Sequence, residues 1–335
     1  MKIRVINHFE VRQLLPMEKC MEVMGAILES LSADAAVNPL RTALWLPQRI
    51  GLLGMMPAFI DSPPITGLKA VTVFPANHGT RYDAHQGAVL LFEASHGCLL
   101  AMVDAGSITA VRTAAVSGVA TRALAHPEAG NLAILGSGTQ AGTHLEAMLL
   151  ARPIRRVRVW SRSPQHLKEF AERESERHQI QMESCRSARQ AVEGSDLICT
   201  TTASAAPILR GEWLTPGAHV NAVGSCTPSA RELDTGAVVS SQLFVDRRES
   251  ALREAGDFLI PKKEGAVDDS HIRGEIGEVL RGKIAGRKSQ REITLFKSLG
   301  LAVEDLAAAD YIYRKALERG AGTEVEFGGL RFDGS

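Results

Sequence analysis

The sequence has no excess of either charge: lysine plus arginine and aspartate plus glutamate each total 38 in 335 residues. That balance gives no electrostatic case for nucleic acid or an anionic membrane surface as the main partner. Cysteine is sparse. Cys20, Cys98, Cys185, Cys199 and Cys226 are scattered, with no C-x-x-C pair and no regular spacing, so neither a disulfide framework nor a metal site is suggested and reduced thiols fit best. No apolar stretch nears the ~20 residues that cross a bilayer. The opening MKIRVINHFEVRQLL carries no apolar run of signal-peptide length. Internal repeats and low-complexity tracts are lacking too. What remains is an ordinary globular composition, 45% apolar and 23% charged, and a length sufficient for two domains. A soluble, cytoplasmic protein is the expectation.

What is present falls into two textures. After a short strand from Ile3, residues Met17, Cys20, Met21, Met24, Ile27, Leu28 and Leu31 recur at helical spacing and form one apolar stripe, read as core. From Arg41 to Asp104, short apolar runs alternate with Gly, Pro, Asn and Asp, the pattern of a largely antiparallel sheet with a hairpin turn at Ser95-His96-Gly97. A helix opens at about Ser107 and runs through RTAAVSGVATRALA. From Asn131 the pattern becomes strand, helix, strand, helix, which predicts a parallel, doubly wound sheet. The helix VEDLAAADYIYRKALERG, ended by Gly320, is predicted to return to the first domain. The expected fold is therefore α/β: a Rossmann-type domain over residues 121–304 and a discontinuous α+β domain from 1–120 and 305–335.

Gly136, Gly138 and Ala141 in LGSGTQA match G-x-G-x-x-G/A where an apolar strand ends and a helix begins. Gly136 would permit the tight turn, Gly138 the approach of a pyrophosphate, and Ala141 close helix–strand packing, with Thr139 and Gln140 opening the helix whose amides meet the phosphates. At the end of the next strand, an NAD site usually carries an acid for the ribose 2′-hydroxyl. Here Ser161, Arg162 and Ser163 stand instead. Their donors and charge suit a 2′-phosphate, so NADP(H) is expected; the plain alternative for Arg162 is a solvated surface arginine. Thr202 and Val223-Gly224 stand at later strand ends, where a dinucleotide would pass overhead.

Three cations, Arg41, Lys69 and Arg112, lie in apolar or small-residue surroundings. Arginine offers two parallel donors to a carboxylate, and a lysine in an apolar pocket can have its pKa lowered into the range useful for proton transfer. For any one of them alone, a structural ion pair is the plain alternative.

The runs HQGAVLLFEASHGCLLAMVDAGSITAVRTAAVSGVATRAL, LAILGSGTQA, GEWLTPGAHVNAVGS, RELD, LFVDRRESALREAGD, GEIGEVL and TLFKSLGLAVEDLAAA resemble the ornithine cyclodeaminase and mu-crystallin family, in the family's order, from about residue 38 to 318. The resemblance implies that the first domain binds a small imino or amino acid and forms a homodimer, and that the second binds NAD or NADP. It implies substrate roles for Arg41, Lys69 and Arg112, the last two taken as catalytic. It also implies cofactor roles for Gly138, Thr139, Gln140, Ser161, Arg162, Thr202, Val223 and Gly224, with Ser298, Gly300 and Leu301 near the nicotinamide. One departure bears on the subgroup. Cyclodeaminases carry an aspartate two residues after the glycine matching Gly224, whereas this chain has Cys226; a neutral thiol cannot hold an ammonium group, and the chain is more similar to the ketimine-reductase branch. No His or Lys adjoins Cys226 in sequence to make it a nucleophile. The expected reaction is NADPH-dependent reduction of a ketimine carboxylate, with Lys69 supplying the proton and His85 a candidate to share the relay, although a structural histidine is the plainer reading. The rivals are NAD-dependent amino-acid dehydrogenation or cyclodeamination, and a protein that binds NADPH and a small ligand without turnover.

Overall fold

The computed structural model describes residues 1–77, 79–329 and 331. The chain divides into two units, Met1–Arg112 with Leu301–Ser335, and Thr113–Gly300. The sequence had placed the first cut near residue 120, further along the same helix.

The first unit opens with β1 (Lys2–Ile6), α1 (His8–Leu14) and α2 (Met17–Leu31). Asn7 caps α1 by accepting from Phe9 and Glu10 amides while the Glu10 carboxylate accepts from the Asn7 amide, a reciprocal capping box. Every residue of the predicted α2 stripe is buried. Strands β2 (Ala36–Val37), β3 (Thr42–Trp45), β4 (Leu52–Ile60), β5 (Ile65–Val73), β6 (His85–Glu93) and β7 (Leu99–Asp104) follow. The β6–β7 turn is held by the Glu93 carboxylate, which accepts from the amides of Ser95, His96 and Cys98. Helix α3 (Ala105–Leu124) starts on Asp104, whose carboxylate accepts from the Ser107 amide.

The second unit alternates as the sequence indicated: β8 (Asn131–Leu135), α4 (Thr139–Ala151), β9 (Arg156–Trp160), α5 (Pro164–His178), β10 (Met182–Ser184), α6 (Ala188–Val192), β11 (Leu197–Thr200) and β12 (His219–Ala222). Then come α7 (Thr235–Val239), β13 (Ser241–Val245), α8 (Arg248–Glu254), α9 (Gly256–Lys263), β14 (Ile272–Glu275), α10 (Ile276–Leu280) and β15 (Ile293–Lys297). All pairings in this sheet are parallel, in the order β10-β9-β8-β11-β12-β15-β13-β14. Strand order reverses between β8 and β11, the switch point where open parallel sheets bind ligands at the carboxyl ends of their strands. Strand β15, late in sequence, is inserted between β12 and β13. Its carboxyl end, and Ser298 after it, therefore stand beside the end of β12.

The chain returns to the first unit as α11 (Ala302–Arg319), which ends on Gly320 at φ 65, and β16 (Thr323–Glu326). Among the described residues the first unit's sheet runs β16-β1-β7-β6-β5-β4-β2, with β3 also on β4; β1 and β7 are parallel and the other pairs antiparallel. Helix α11 lies close on this sheet. A Cβ at Gly67 in β5 would stand 2.4 Å from Leu306 Cδ1 and 2.6 Å from the Leu90 carbonyl, so glycine is what lets the helix approach.

Candidate active site

Side chains in a strand alternate between faces, so Ile65, Gly67 and Lys69 share the buried face of β5. That face meets α11, and Lys69 Nζ lies 3.1 Å from both carboxylate oxygens of Asp305. It also donates to Thr109 Oγ1 at 2.7 Å, whose own hydroxyl donates to the Ala105 carbonyl. One helical turn further along α3, Arg112 places Nε 3.0 Å from Asp305 Oδ1 and Nη1 2.9 Å from Glu304 Oε2. Glu304 in turn accepts from the Leu301 amide at 3.2 Å. Lys69 and Arg112 are 5% and 4% exposed, and both carboxylates are fully buried.

Burial lowers the Lys69 pKa to about 8; Asp305 opposes the shift, while the charges of Arg112 and the half-buried Arg41 add to it. With Lys69 protonated, the charges of Lys69 and Arg112 are balanced by Glu304 and Asp305, and Arg41 adds a further positive charge felt at Lys69. The acidic pair is a finding of the structure. Its signal lay in VEDLAAA, where two adjacent acids interrupt a small and apolar helix face, but helical periodicity alone does not say what a buried acid faces. His85 sits elsewhere: the β5–β6 register pairs Lys69 with Val89 and Val73 with His85, four residues along the strand or roughly 13 Å at about 3.3 Å per residue. It is exposed.

In the second unit, Gly136 follows β8 with φ 130, and a Cβ there would stand 2.6 Å from Thr201 Oγ1. Gly138 is the N-cap residue of α4 and supplies no side-chain cap, and open space lies where its Cβ would be. Thr139 and Gln140 open the helix, while Ala141 is fully buried against the sheet. The uncapped amides and the clear approach fit a pyrophosphate. At the end of β9, Ser161 accepts from Ser137 Oγ at 2.8 Å, which ties the strand end to the glycine turn. Arg162 is exposed. The Ser163 oxygen caps α5 by accepting from the His166 amide.

Thr202 and Gly224 are joined by a buried carboxylate, Glu232 of the RELD run, for which the sequence alone suggests no role, with Asp257 and Lys297 behind it. Val223 is buried beside them. After β15, the Ser298 hydroxyl is buried and has no hydrogen-bond partner among the described residues, a polar group that fits a cofactor's amide. The Asp246 carboxylate accepts from the Leu299 and Gly300 amides at 2.5 and 2.8 Å, and Gly300 adopts φ 79. Leu301 begins the first unit's returning segment. Cys226 has a cation nearby after all: Lys297 Nζ donates to the carbonyl of the adjacent Ser225 at 2.5 Å. Sequence adjacency could not show this, because Lys297 arrives on the inserted strand β15.

A glycine turn at the switch point of a parallel sheet, on a chain that also buries a lysine and an arginine against two acids, fits an enzyme that binds a dinucleotide. Comparison with known proteins places it more closely. The Ornithine cyclodeaminase/mu-crystallin family is matched over residues 1–320. A Delta(1)-pyrroline-2-carboxylate reductase of Bacillus cereus is 36% identical over 324 residues, covering 96% of this chain and 99% of that protein. The ketimine reductase mu-crystallin of Mus musculus is 41% identical over 277 residues, 83% of this chain and 84% of that one. Among solved structures, Thermococcus litoralis Delta(1)-pyrroline-2-carboxylate reductase in complex with NADH and L-proline superimposes with a TM-score of 0.94 at 37% identity, covering 96% of this chain and all of that one. The chain belongs to the ornithine cyclodeaminase/mu-crystallin family. Its enzymatic class is that of oxidoreductases acting on carbon–nitrogen double bonds.

Proposed function

We propose that this protein reduces a small cyclic or open ketimine carboxylate to the corresponding amino acid, using NADPH. The observation that carries the reading is Lys69, a buried ammonium with a pKa near 8 held between Asp305 and Thr109. The substrate carboxylate binds Arg41 and Arg112. Lys69 Nζ, or a water that it holds, keeps the imine nitrogen protonated, which matters because a neutral imine accepts hydride poorly. A nicotinamide cofactor, when bound in reduced form, would supply that hydride. Glu304 and Asp305 orient Arg112 and Lys69 and leave the cluster one positive charge for the anion to match. Arg162, exposed at the end of β9 where NAD sites carry an acid, supports the 2′-phosphate. Cys226 speaks against cyclodeamination, since it puts no carboxylate near the substrate amine. A homodimer is part of the same reading.

The test is loss of reduced-cofactor absorbance with Delta(1)-pyrroline-2-carboxylate, its six-membered ring homologue and open imino acids. The expected result is imine-dependent oxidation of NADPH with formation of the amino acid. Tight cofactor binding without turnover of any of these imines would leave a ligand-binding protein instead.

A further inference from the structure

Glu232 is a carboxylate with no exposure to water, and burial raises its pKa. Four donors converge on it. Thr200 Oγ1 and the Gly224 amide meet Oε2 at 2.7 and 2.8 Å; the Thr202 amide and hydroxyl meet Oε1 at 2.7 and 2.6 Å. All four come from the carboxyl ends of β11 and β12. The strand ends are drawn together so closely that a Cβ at Gly224 would lie 2.0 Å from the Thr202 carbonyl.

Behind this clamp is a second one. The amides of Glu232 and Leu233 donate to Asp257 Oδ1 at 2.8 and 3.0 Å, and Asp257 Oδ2 lies 2.9 Å from Lys297 Nζ. Lys297 donates back to the carbonyls of Ser225 and Ala222 at 2.5 and 3.3 Å, which closes a ring through β15 and the end of β12. Burial works against charge on Lys297, yet Asp257, Cys226 and Glu232 outweigh it and hold the pKa up.

A buried ionic network of this kind is a poor means of stabilising a fold, because well-packed apolar side chains do as well or better. Its position suggests another use. The pyrophosphate belongs at the β8 turn and the adenosine ribose at the end of β9, so the nicotinamide half falls on the side of β11 and β12. We propose that Glu232 is a positioning residue for the nicotinamide half of the cofactor, fixing Thr202 and Gly224 while the Asp257–Lys297 pair holds it in place. This rests on the nicotinamide reading, but not on which imine is reduced.

The test compares two ligands on the full-length protein by fluorescence or calorimetry: the complete reduced dinucleotide, and its nicotinamide-free fragment, ADP-ribose or 2′-phospho-ADP-ribose. Glu232→Gln keeps the volume but turns an amide donor toward groups that are themselves donors. It should weaken the complete cofactor roughly ten- to a hundredfold, the scale of a lost charge-assisted hydrogen bond, and leave the fragment within about twofold. Fragment binding also reports that the unit is folded. The nearly isosteric Thr200→Val, which removes one donor, should act in the same direction by roughly three- to tenfold. In turnover, the primary isotope effect from deuterated cofactor should rise in both variants as hydride transfer becomes slower. Equal loss for both ligands, or no loss for either, overturns the proposal. If the wild-type chain binds neither ligand, the nicotinamide reading itself falls, and the proposal falls with it.

Discussion

An ammonium group that is 5% exposed has lost most of its hydration, and Lys69 recovers stabilisation from Asp305 and Thr109. Its pKa of about 8, below the ordinary 10.5, has two consequences of definite sign. The folded state holds this proton more weakly than the unfolded chain, so the penalty for burying the charge is complete below about pH 8 and relaxes as pH rises toward 10.5. As a general acid the group acts when protonated, so kcat should fall as pH rises through about 8. Lys69→Met should lower kcat about 10²–10⁴-fold and abolish that limb, while Asp305 keeps Arg112 as a partner. Asp305→Asn removes what holds the pKa up and should move the limb to lower pH. A Lys69→Met enzyme with wild-type kcat and an unchanged profile would make His85 or solvent the donor. In the proposed reaction Arg112 would hold a carboxylate present in both ground and transition states, so its loss should appear in KM. Arg112→Lys is the cleaner probe: it retains charge for Glu304 and Asp305 but loses the planar fork, whereas alanine would leave two buried carboxylates poorly compensated. At the other ligand, Arg162→Ala should weaken NADPH far more than NADH, by about 1.5–3 kcal/mol for a charge-assisted contact. Equal affinity of the wild type for the two cofactors would refute the 2′-phosphate assignment.

At the scale of elements, the Lys69–Asp305 pair depends on how closely α11 lies on β5. Gly67 sets that spacing, because the Leu90 carbonyl 2.6 Å from a built Cβ belongs to the sheet and cannot move aside. Gly67→Ala should therefore push on Leu306 and displace α11, with a loss of about 1–3 kcal/mol seen as a lower Tm. Because Asp305 precedes Leu306, kcat should fall as well; an unchanged Tm and kcat would show that the helix is not so tightly seated. The same elements show what a sequence discloses. The α2 stripe, the short apolar strands of the first unit and the glycine turn after β8 are local patterns, and each was legible. Strand β15 between β12 and β13 was not, since parallel order is fixed by crossovers and not by local pattern. Helix α1 escaped because it is one short capped segment. Lys69 and Arg112 were visible as cations out of place among apolar neighbours, but Glu304 and Asp305 read as the polar side of an ordinary helix. Glu232, Asp257 and Lys297 are 25 and 40 residues apart along the chain, and no spacing rule links them. A buried ionic ring assembled by topology leaves no motif.

At the scale of the whole molecule, the exposed strand β3 is unlike the rest of the first unit's sheet. All four of its residues face solvent in the single chain, with Leu44 and Trp45 at 56% and 49% exposure. They lie on opposite faces, so one sheet face packed on a core cannot account for both. Ile50 and Val37, each 56% exposed, add to the apolar surface of the unit, and the Arg49 guanidinium stacks over the Trp45 ring at 4.7 Å. Among the described residues β3 pairs with β4 alone, which leaves a row of backbone donors and acceptors along its outer edge beside large apolar side chains. Such an edge invites association unless another chain covers it. The net charge of the protein is zero, so no long-range repulsion keeps two copies apart. The expected state at micromolar concentration is a homodimer with twice the 36.0 kDa chain mass by light scattering. Leu44→Glu combined with Trp45→Glu should yield a monomer that retains cofactor binding, because the glycine turn and Arg162 belong to the other unit. A wild-type monomer at that concentration, or a dimer indifferent to both substitutions, would remove β3 from the interface and leave its exposed leucine and tryptophan to some other contact.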